Sequence, residues 1–515
     1  MLDRTARSGY GGEPGFGFEA ETRSFIEMRD RALEVAQGLR AQGVEPGDRV
    51  AVLMGNRLEW PEVFFGLAAL GAVCVPVNVL LTAAEIGHVC TDSGSRLLVM
   101  DEIAMKAVAA LDHGFDLVVT VGTAAAPVGA HALDYETLLT TGDPDLLLPG
   151  PDLNDTLVLY YSSGTTGLPK AAEHTHDSVL WNSAGQIQGL GLTRNVRYAV
   201  VPSLSWAAGF HNLTLALVWL GGFSQIRPTG GNNCDSIVEM VEAHGITHIM
   251  LVPSLLRELA ARSDLMERLT ASSMRWIVTG AEPVPRTVID RCVQGMPGVA
   301  VCQGYGLSEF PTIATVLGPE EVVKHDGSAG RPLPHTTVAV RDADGLVMDR
   351  GRGELLVRSL ATMRGYFGRP EQTAEAFEGG WLHTGDLANI DDGGFVTIVG
   401  RTKDMIISGG LNVYPKEVEE VLQRLPGVRE VAVVGVPDER FGEATVAVIV
   451  PDGDGFDVDA AHLACRTQLA SYKRPRRILV REEPLPLSAN AKLLKRELRP
   501  WAVEVLSTAT GDDEA

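Results

Sequence analysis

Short apolar runs alternate with helical patterns over the first two thirds of the chain. The runs RVAVLMG, RLLVM, LVVTV, THIMLVP and MRWIVTGA have strand length and are rich in β-branched residues. FIEMRDRALEVAQGLRAQG and SLLRELAARS, which lie between or before such runs, are typical of helices. Because strands that alternate with helices form parallel sheets covered by those helices, the pattern predicts an α/β fold.

The pattern changes from Val338 onward. TTVAVRDADGLVMDRGRGELLVRS and GGFVTIVGRTKDMIISGG have turn residues every few positions, which indicates antiparallel hairpins. After Gly410, YPKEVEEVLQRLPG predicts a helix, and VREVAVVGVPD and EATVAVIVPD predict two strands. These elements form a compact α+β unit of about 100 residues, a size at which domains fold independently. We place the boundary that precedes this α+β unit near residues 401–405.

Residues 63–81, VFFGLAALGAVCVPVNVLL, are long enough to span a bilayer on length alone. Pro76 and Asn78 interrupt the run, and the preceding GNRLEWPE is typical of a helix start. A buried helix that ends near Gly71, followed by a buried strand, fits the pattern better. We therefore expect no membrane span here.

Composition narrows the functional classes. The chain has 515 residues and a net charge of −22, from 66 acidic and 44 basic residues, which argues against a nucleic-acid partner and against anionic membranes. The six cysteines form no CxxC pair, so buried free thiols in a reducing cytosol are expected. The first residues lack the apolar core of a secretory signal, and we expect a cytoplasmic protein. The sequence leaves both a monomer and a homodimer open.

One loop carries chemistry. In YYSSGTTGLPK, residues 160–170, glycines allow backbone N–H groups to converge, hydroxyls add donors, and Lys170 supplies a positive charge. An apolar strand precedes the loop and a helical pattern follows it, an arrangement that suits phosphate binding. It is not a Walker P-loop, because Leu168 and Pro169 separate Gly167 from Lys170 and Ala171 follows the lysine.

The loop resembles the phosphate-binding signature of the adenylate-forming superfamily, which contains acyl-CoA synthetases, peptide-synthetase adenylation domains and luciferases. Further motifs that resemble the family follow in order: QGYGLSEF, GELLVRS with RGYFGRPEQTAEAF, GWLHTGDLA, GRTKDMIISGGLNVYPKEVE and PLPLSANAKLLKRELR. The resemblance runs from about residue 25 to residue 500 and favours the acyl-CoA synthetase, or acid–CoA ligase, type. It implies an N-terminal adenylation domain over 1–400, with two helix-covered sheets and a small β-barrel-like part. A hinge at 401–405 and a mobile α+β domain over 406–515 would follow.

The resemblance implies an ATP site with Mg²⁺. Thr165, Thr166 and Lys170 would face the β- and γ-phosphates, Glu309 with Thr165 would hold the metal, and Tyr305 would stack on adenine. Asp386 would accept hydrogen bonds from the ribose, and Arg401 would reach the ribose or the phosphates. The remaining implied nucleotide contacts are Ser162, Ser163, Gly164, Gly167, Gly280, Ala281, Glu282, Gln303, Gly304, Gly306, Leu307, Ser308 and Ile398.

Activation of a carboxylate builds negative charge on phosphoryl oxygens, so catalysis rests on positioning and on the placement of cations. By resemblance, Lys492 would reach the carboxylate and the α-phosphate. The family usually has glycine before this lysine, whereas this chain has Ala491, which adopts positive φ less freely. Rotation of the C-terminal domain about Lys403 would then bring up Ser408, Gly409 and Gly410 for thioester formation with CoA. The basic cluster YKRPRR, which contains Lys473, stands out in an acidic chain and indicates either contact with the phosphates of CoA or a solvated basic turn.

The acid pocket is less clearly specified. Peptide-synthetase domains have an aspartate for the substrate amino group where this chain has Ala207, so an amino-acid substrate is disfavoured. Ser205 stands where many fatty acyl and aryl synthetases have histidine. The implied lining consists of Trp206, Phe210, His211, Gly280, Gly304, Leu307 and Phe310, which favours an apolar fatty, aryl or polycyclic acid. Transfer to an acyl carrier protein and, more remotely, a non-catalytic acyl-adenylate binder are the alternatives.

Overall fold

The computed structural model describes residues 1–126, 131–143, 148, 150–162, 169–231, 233–282, 284–409, 411–438, 440–487 and 493–511. Contacts divide the chain into two compact units. The first comprises Met1–Val338 and Val357–His383, and the second Ala339–Leu356 and Thr384–Ala515. The predicted hinge at 401–405 lies inside the second unit, and its mobility stays a prediction.

The strands of the described chain, in chain order, are β1 Pro14–Phe18, β2 Glu21–Ser24, β3 Arg49–Leu53, β4 Val73–Pro76, β5 Leu97–Met100, β6 Leu117–Thr120, β7 Ala132–Asp134, β8 Thr156–Ser162, β9 Lys170–Thr175, β10 Arg197–Val200, β11 Phe223–Ile226, β12 His248–Leu251, β13 Trp276–Gly280, β14 Ala300–Leu307, β15 Phe310–Leu317, β16 Arg331–Pro332, β17 Thr336–Arg341, β18 Val347–Met348, β19 Gly351–Ser359, β20 Gly365–Tyr366, β21 Phe377–Glu378, β22 Trp381–Ile390, β23 Val396–Arg401, β24 Ile406–Ser408, β25 Leu411–Val413, β26 Val428–Asp438, β27 Gly442–Pro451 and β28 Arg477–Val480.

The α-helices are α1 Leu2–Ala6, α2 Phe25–Ala41, α3 Glu59–Leu70, α4 Ala83–Ser93, α5 Met105–Val108, α6 Tyr135–Thr141, α7 His176–Gly189, α8 Ala207–Phe210, α9 Thr214–Leu220, α10 Cys234–His244, α11 Pro253–Ala260, α12 Ser263–Ala271, α13 Arg286–Gly295, α14 Pro370–Ala376, α15 Pro415–Gln423, α16 Val458–Gln468 and α17 Lys495–Gly511.

Two largely parallel sheets form the first unit, as the sequence predicts. One has the strand order β20-β9-β8-β4-β3-β5-β6-β7, and the other has the order β16-β15-β14-β13-β12-β10-β11-β1-β2. One cluster of buried apolar side chains contains residues of both sheets together with residues of α2, α3 and α9. A second cluster joins the first-named sheet to α4 and α5. Both sheets are therefore covered by helices, which confirms the predicted α/β class.

The apolar stretch at 63–81 folds as predicted. Helix α3 ends at Gly71, whose φ of 78° is left-handed and suits a residue without Cβ. Strand β4 follows at once and is buried at all four positions between β3 and β8. Among the helices of the described residues, none is long and apolar enough to cross a membrane.

The second unit contains the predicted hairpins and the α+β part. Strand β17 pairs antiparallel with β18, and Asp386–Ile390 of β22 pair antiparallel with Val396–Arg401 of β23. Further along the chain, a sheet has the order β25-β24-β27-β26, and β28 adds to β27 in parallel. Helices α15 and α16 pack on one face of that sheet and α17 packs on the other.

Candidate functional site

The loop of glycines and hydroxyls joins the two strands of an antiparallel hairpin. Ser162 at the end of β8 pairs with Lys170 at the start of β9, and residues 163–168 between them lie outside the described residues. The predicted helix is present as α7, and the strand β9 separates it from the loop. Helix α7 begins after Thr175, which pairs with Thr156 at the opposite end of β8. The positive end of the α7 dipole is therefore one strand length away from the loop.

Lys170 and Glu309 both contact Tyr366, a residue of β20. The Lys170 Nζ lies 3.4 Å from the centroid of the Tyr366 ring, and the Tyr366 hydroxyl donates to Glu309 Oε1 over 2.8 Å. Burial lowers the pKa of the Lys170 ammonium, an effect that the negative charge of Glu309 opposes. Burial and the adjacent carboxylate raise the pKa of Tyr366, so its hydroxyl keeps the proton that it donates.

Glu309 lies in the turn between β14 and β15. His174 of β9 contacts the Ser308 carbonyl oxygen through Nε2 at 2.7 Å, so that nitrogen is the donor. The Met363 N–H donates to the Glu309 carbonyl oxygen over 2.9 Å. The turn is thus fixed to β9, which begins with Lys170, and to the segment before β20.

The remaining predicted adenine contacts lie on two neighbouring strands. Gly280 ends β13 and pairs with Gly304 of β14, and a Cβ on Gly280 would approach the Gly304 carbonyl oxygen to 2.3 Å. Ala281 follows with a φ of 73°, which is rare for a residue with a side chain. The structure pairs Gly280 with Gly304 at the end of β13, and Tyr305, Gly306 and Leu307 continue β14 beyond that pair. Their adenine and ribose contacts stay predictions.

Three of the predicted acid-pocket residues, Trp206, Phe210 and His211, lie in or next to the short helix α8. Trp206 precedes the helix and is partly exposed. Phe210 is fully buried, with its ring 4.6 Å from that of Trp60 and 4.7 Å from that of Phe64. Phe310 is also buried, at 1% exposure. Phe210 therefore packs in the protein core, and its place in an acid pocket stays a prediction.

His211, next to Phe210, is fully buried, and among the described residues neither ring nitrogen has a hydrogen-bond partner. Its ring lies edge-on to that of Tyr160, with 5.1 Å between the centroids. Burial moves the pKa of His211 well below its usual value, and it lowers the pKa of His174 to about 4. Both imidazoles are therefore neutral at physiological pH.

The predicted ribose residues lie in the second unit. Asp386 pairs with Arg401 across β22 and β23, and Arg401 Nε lies 3.2 Å from Asp386 Oδ1. Asp386 is 8% exposed, whereas the Arg401 side chain is 43% exposed. Ile398 lies on the same strand as Arg401, and its carbonyl oxygen accepts from Lys416. Burial lowers the pKa of the predicted hinge residue Lys403 to about 8.

The predicted CoA residues lie close to an aromatic side chain. Gly409 has a φ of 60°, and a Cβ there would come within 3.1 Å of the Phe441 ring. The Arg476 guanidinium carbon lies 3.7 Å from the centroid of the same ring, and that of Arg440 lies 5.0 Å from it. Lys473 instead forms an ion pair with Glu417 and is largely covered. Ser408 is buried, and Gly410 lies outside the described residues.

Several predictions concern residues that the structure leaves undescribed. Lys492 and Ala491 lie outside the described residues, as do Thr165, Thr166 and the rest of 163–168. In the described ranges, no group of three His, Cys, Asp or Glu side chains could hold a metal ion. The six cysteines are buried and free, as expected.

Tyr366 is the site residue that the sequence reasoning missed. It belongs to RGYFGRPEQTAEAF, a segment that marks the family resemblance without assigning a role to any of its residues. An aromatic residue between Gly365 and Phe367 gives no signal of its two partners, which lie 196 and 57 positions away in the chain (366 − 170 and 366 − 309). The pairing of β20 with β9 brings Tyr366 to Lys170, and the bond from the Met363 N–H to the Glu309 carbonyl oxygen joins the segment before β20 to the turn of Glu309.

The helix-covered sheets define an α/β protein in which a half-buried lysine and a carboxylate in a turn both contact one tyrosine. Residues 3–367 match the model of the AMP-binding enzyme family, and residues 417–492 match the model of the AMP-binding enzyme C-terminal domain. The chain belongs to this family of AMP-binding enzymes, which confirms the resemblance to the adenylate-forming superfamily.

Named relatives are acid–CoA ligases. A long-chain-fatty-acid–CoA ligase of Mycobacterium tuberculosis is 35% identical over 92% of both chains. A feruloyl-CoA synthase of an Amycolatopsis species is 37% identical over 92% of this chain and 93% of that protein. Among solved structures, an o-succinylbenzoate CoA synthetase of Bacillus subtilis, in complex with its acyl-adenylate intermediate, is 28% identical. The structural match covers 97% of this chain and 97% of that protein, with a TM-score of 0.84.

Proposed function

We propose that the chain activates an apolar carboxylic acid with ATP and transfers the acyl group to CoA. The carboxylate attacks the α-phosphorus of ATP, which gives acyl-AMP and releases pyrophosphate. The thiol of CoA then attacks the acyl carbon, which gives acyl-CoA and releases AMP. The observation that carries this proposal is the pairing of Lys170 with Glu309 through Tyr366, in a chain whose named relatives are acid–CoA ligases.

The geometry around Lys170 supports phosphate binding. The ammonium lies where β9 begins, directly after the glycine- and hydroxyl-rich loop, and it is half-buried. A partly desolvated ammonium attracts a phosphate oxygen more strongly than an exposed one does, because the local dielectric constant is lower. Within the second unit, Asp386 and Arg401 pair with each other and stay the residues predicted to bind the ribose and the phosphates.

Glu309 fits a site for Mg²⁺. This cation is commonly bound by one or two carboxylates together with phosphate oxygens and water, so a group of three protein ligands is not needed. The Tyr366 hydroxyl occupies one position on Oε1, and a carboxylate has further lone pairs for a cation. When bound, the metal would neutralise charge on the phosphates, and Glu309 and Thr165 would hold it.

The residues around α8 favour an apolar acid. Ala207, Ala208 and Gly209 have small side chains or none, and the neighbouring Trp206 is apolar over most of its surface. No carboxylate stands at position 207 to pair with a substrate ammonium group. The names of the relatives, which include fatty-acid and feruloyl substrates, agree with this class of acid.

Phe441 and its two arginines favour CoA over a carrier protein as the acceptor. Arg440 and Arg476 are exposed, and within the described ranges neither guanidinium has a carboxylate partner. Their charges lie beside Gly409, the residue predicted to face the pantetheine arm. CoA carries a diphosphate and a 3′-phosphate that a carrier-bound pantetheine lacks, and arginine pairs with phosphate especially well. The buried free thiols agree with a cytoplasmic location.

A thiol-acceptor experiment tests the proposal. Purified protein is given ATP, Mg²⁺ and a panel of fatty, aryl and alicyclic acids, and the products with CoA, pantetheine and a pantetheinylated carrier protein are measured by mass spectrometry. We expect acyl-CoA and AMP. Arg476→Gln should raise the KM for CoA about tenfold, as expected for one hydrogen bond to a charged group, with little effect on pantetheine.

Arg477→Gln is the matched control, because Arg477 is exposed in the same segment and its guanidinium is directed at the Arg476 carbonyl oxygen. Efficient transfer to the carrier protein with none to CoA would make the chain a carrier-loading ligase. Absence of acyl-AMP with every acid, together with tight binding of a synthetic acyl-AMP, would instead indicate a non-catalytic binder.

A further inference from the structure

Tyr366 lies between two groups of opposite charge that do not contact each other. Its ring carries the Lys170 ammonium at 3.4 Å from the centroid, and its hydroxyl binds the Glu309 carboxylate at 2.8 Å. In the described part of the chain, Lys170 and Glu309 form no direct ion pair, although each feels the charge of the other. Tyr366 thus contacts the two groups in different ways. The face of its ring binds the cation, and its hydroxyl donates a hydrogen bond to the anion.

The surrounding fold fixes the phenol. Tyr366 pairs with Ala172 of β9, its N–H donates to Thr373 Oγ1 over 2.9 Å, and its side chain packs with Met363 and Leu382. The residue is 9% exposed. The position of the ring is therefore set by the sheet and by α14, and does not depend on Lys170 or Glu309.

Removal of the ring would let the two charges meet. Lys170 and Glu309 have flexible side chains, their environment is partly desolvated, and opposite charges in such an environment attract strongly. A direct ion pair would neutralise the lysine that a phosphate needs and occupy the carboxylate that a cation needs.

We propose that Tyr366 is a positioning residue that holds Lys170 and Glu309 apart and keeps both available for the nucleotide. The inference rests on the proposed function for the identity of the ligand, whereas the separation of the two charges is a property of the chain alone. Tyr366 itself needs no contact with the nucleotide.

Two variants separate the two contacts. Tyr366→Phe keeps the ring under Lys170 and removes the donor to Glu309, and Tyr366→Leu removes both contacts. In acid-dependent ATP–pyrophosphate exchange we expect kcat/KM for ATP to fall about tenfold in Tyr366→Phe and about a hundredfold in Tyr366→Leu, with most of the change in KM. Tyr135→Phe is the matched control, because Tyr135 donates to Glu62 over 2.7 Å at a buried position elsewhere in the first unit. It should lower thermal stability and leave the KM for ATP unchanged.

A stability cycle tests the separation without nucleotide or metal. Lys170→Met and Glu309→Gln are made singly and together, in the wild-type and in the Tyr366→Leu backgrounds, and unfolding is followed in a chelating buffer. We expect a small departure from additivity of the changes in melting temperature in the wild type, where the two charges interact at a distance, and a larger one in Tyr366→Leu, where they pair. An equal departure from additivity in both backgrounds, or an unchanged KM for ATP in Tyr366→Leu, would overturn the proposal. If wild-type protein exchanges no pyrophosphate with any acid, the proposed function fails while the stability cycle still decides the role of Tyr366.

Discussion

Acidification should destabilise the first unit through buried histidines. Burial lowers the pKa of His174, His176 and His248 to about 4 each, and it moves that of His211 well below its usual value. In the unfolded chain each imidazole has its ordinary pKa of about 6.5. Between those values the unfolded state binds more protons than the folded state does, so stability falls as the pH falls.

The magnitude follows from the three groups with a pKa of about 4, His174, His176 and His248. At about pH 5 an unfolded imidazole is almost fully protonated and a folded one with a pKa of about 4 is about one tenth protonated. The three groups together account for about 2.6 protons, which corresponds to a slope of about 3.6 kcal/mol per pH unit. From about pH 7 to about pH 5, each of the three removes about 2 kcal/mol and together they remove about 5.5 kcal/mol, and His211 adds to the loss in the same direction.

Urea unfolding of the first unit at a series of pH values measures this slope. His174→Gln should reduce the loss between about pH 7 and pH 5 by about 2 kcal/mol, because glutamine can still donate to the Ser308 carbonyl oxygen and does not titrate. His131→Gln, an exposed position, should leave the slope unchanged. A wild-type slope that corresponds to less than about one proton would refute the reasoning, since it would mean that these imidazoles titrate normally in the folded state.

Two further predictions concern single residues. Asp386→Asn should raise the KM for ATP by about tenfold to a hundredfold in pyrophosphate exchange, because a buried charged acceptor is lost; an unchanged KM would exclude contact with the ribose. Phe210→Ala should lower the free energy of unfolding of the first unit by about 4 kcal/mol, as for other buried aromatic residues, and a loss below about 1 kcal/mol in urea unfolding would place the ring outside the core.

Local patterns predicted the elements well where one signal dominated. The apolar stretch before Gly71 and the strand after it are found as expected, because a glycine with positive φ ends the helix and β-branched residues follow. The hairpins β17–β18 and β22–β23 likewise follow from turn residues between apolar runs.

Arrangements that depend on distant pairing were not predictable in the same way. The chain after the phosphate loop first returns along β8 as β9, because each backbone group of β9 finds its partner there, and local propensity carries no information on that pairing. The contact of Tyr366 with Lys170 and Glu309 depends on β20 joining the edge of the same sheet. Sequence motifs identified both charged residues and gave no indication of the side chain between them.

The central claim is that the acid is activated as an acyl-adenylate, and the fate of the carboxylate oxygens tests it most directly. An acid of the accepted class is labelled with ¹⁸O in its carboxylate and converted to acyl-CoA with ATP and CoA, and the AMP is analysed by mass spectrometry. Attack of the carboxylate on the α-phosphorus followed by thiolysis leaves one labelled oxygen in AMP and none in pyrophosphate. Labelled inorganic phosphate together with ADP, or AMP without label, would contradict the account.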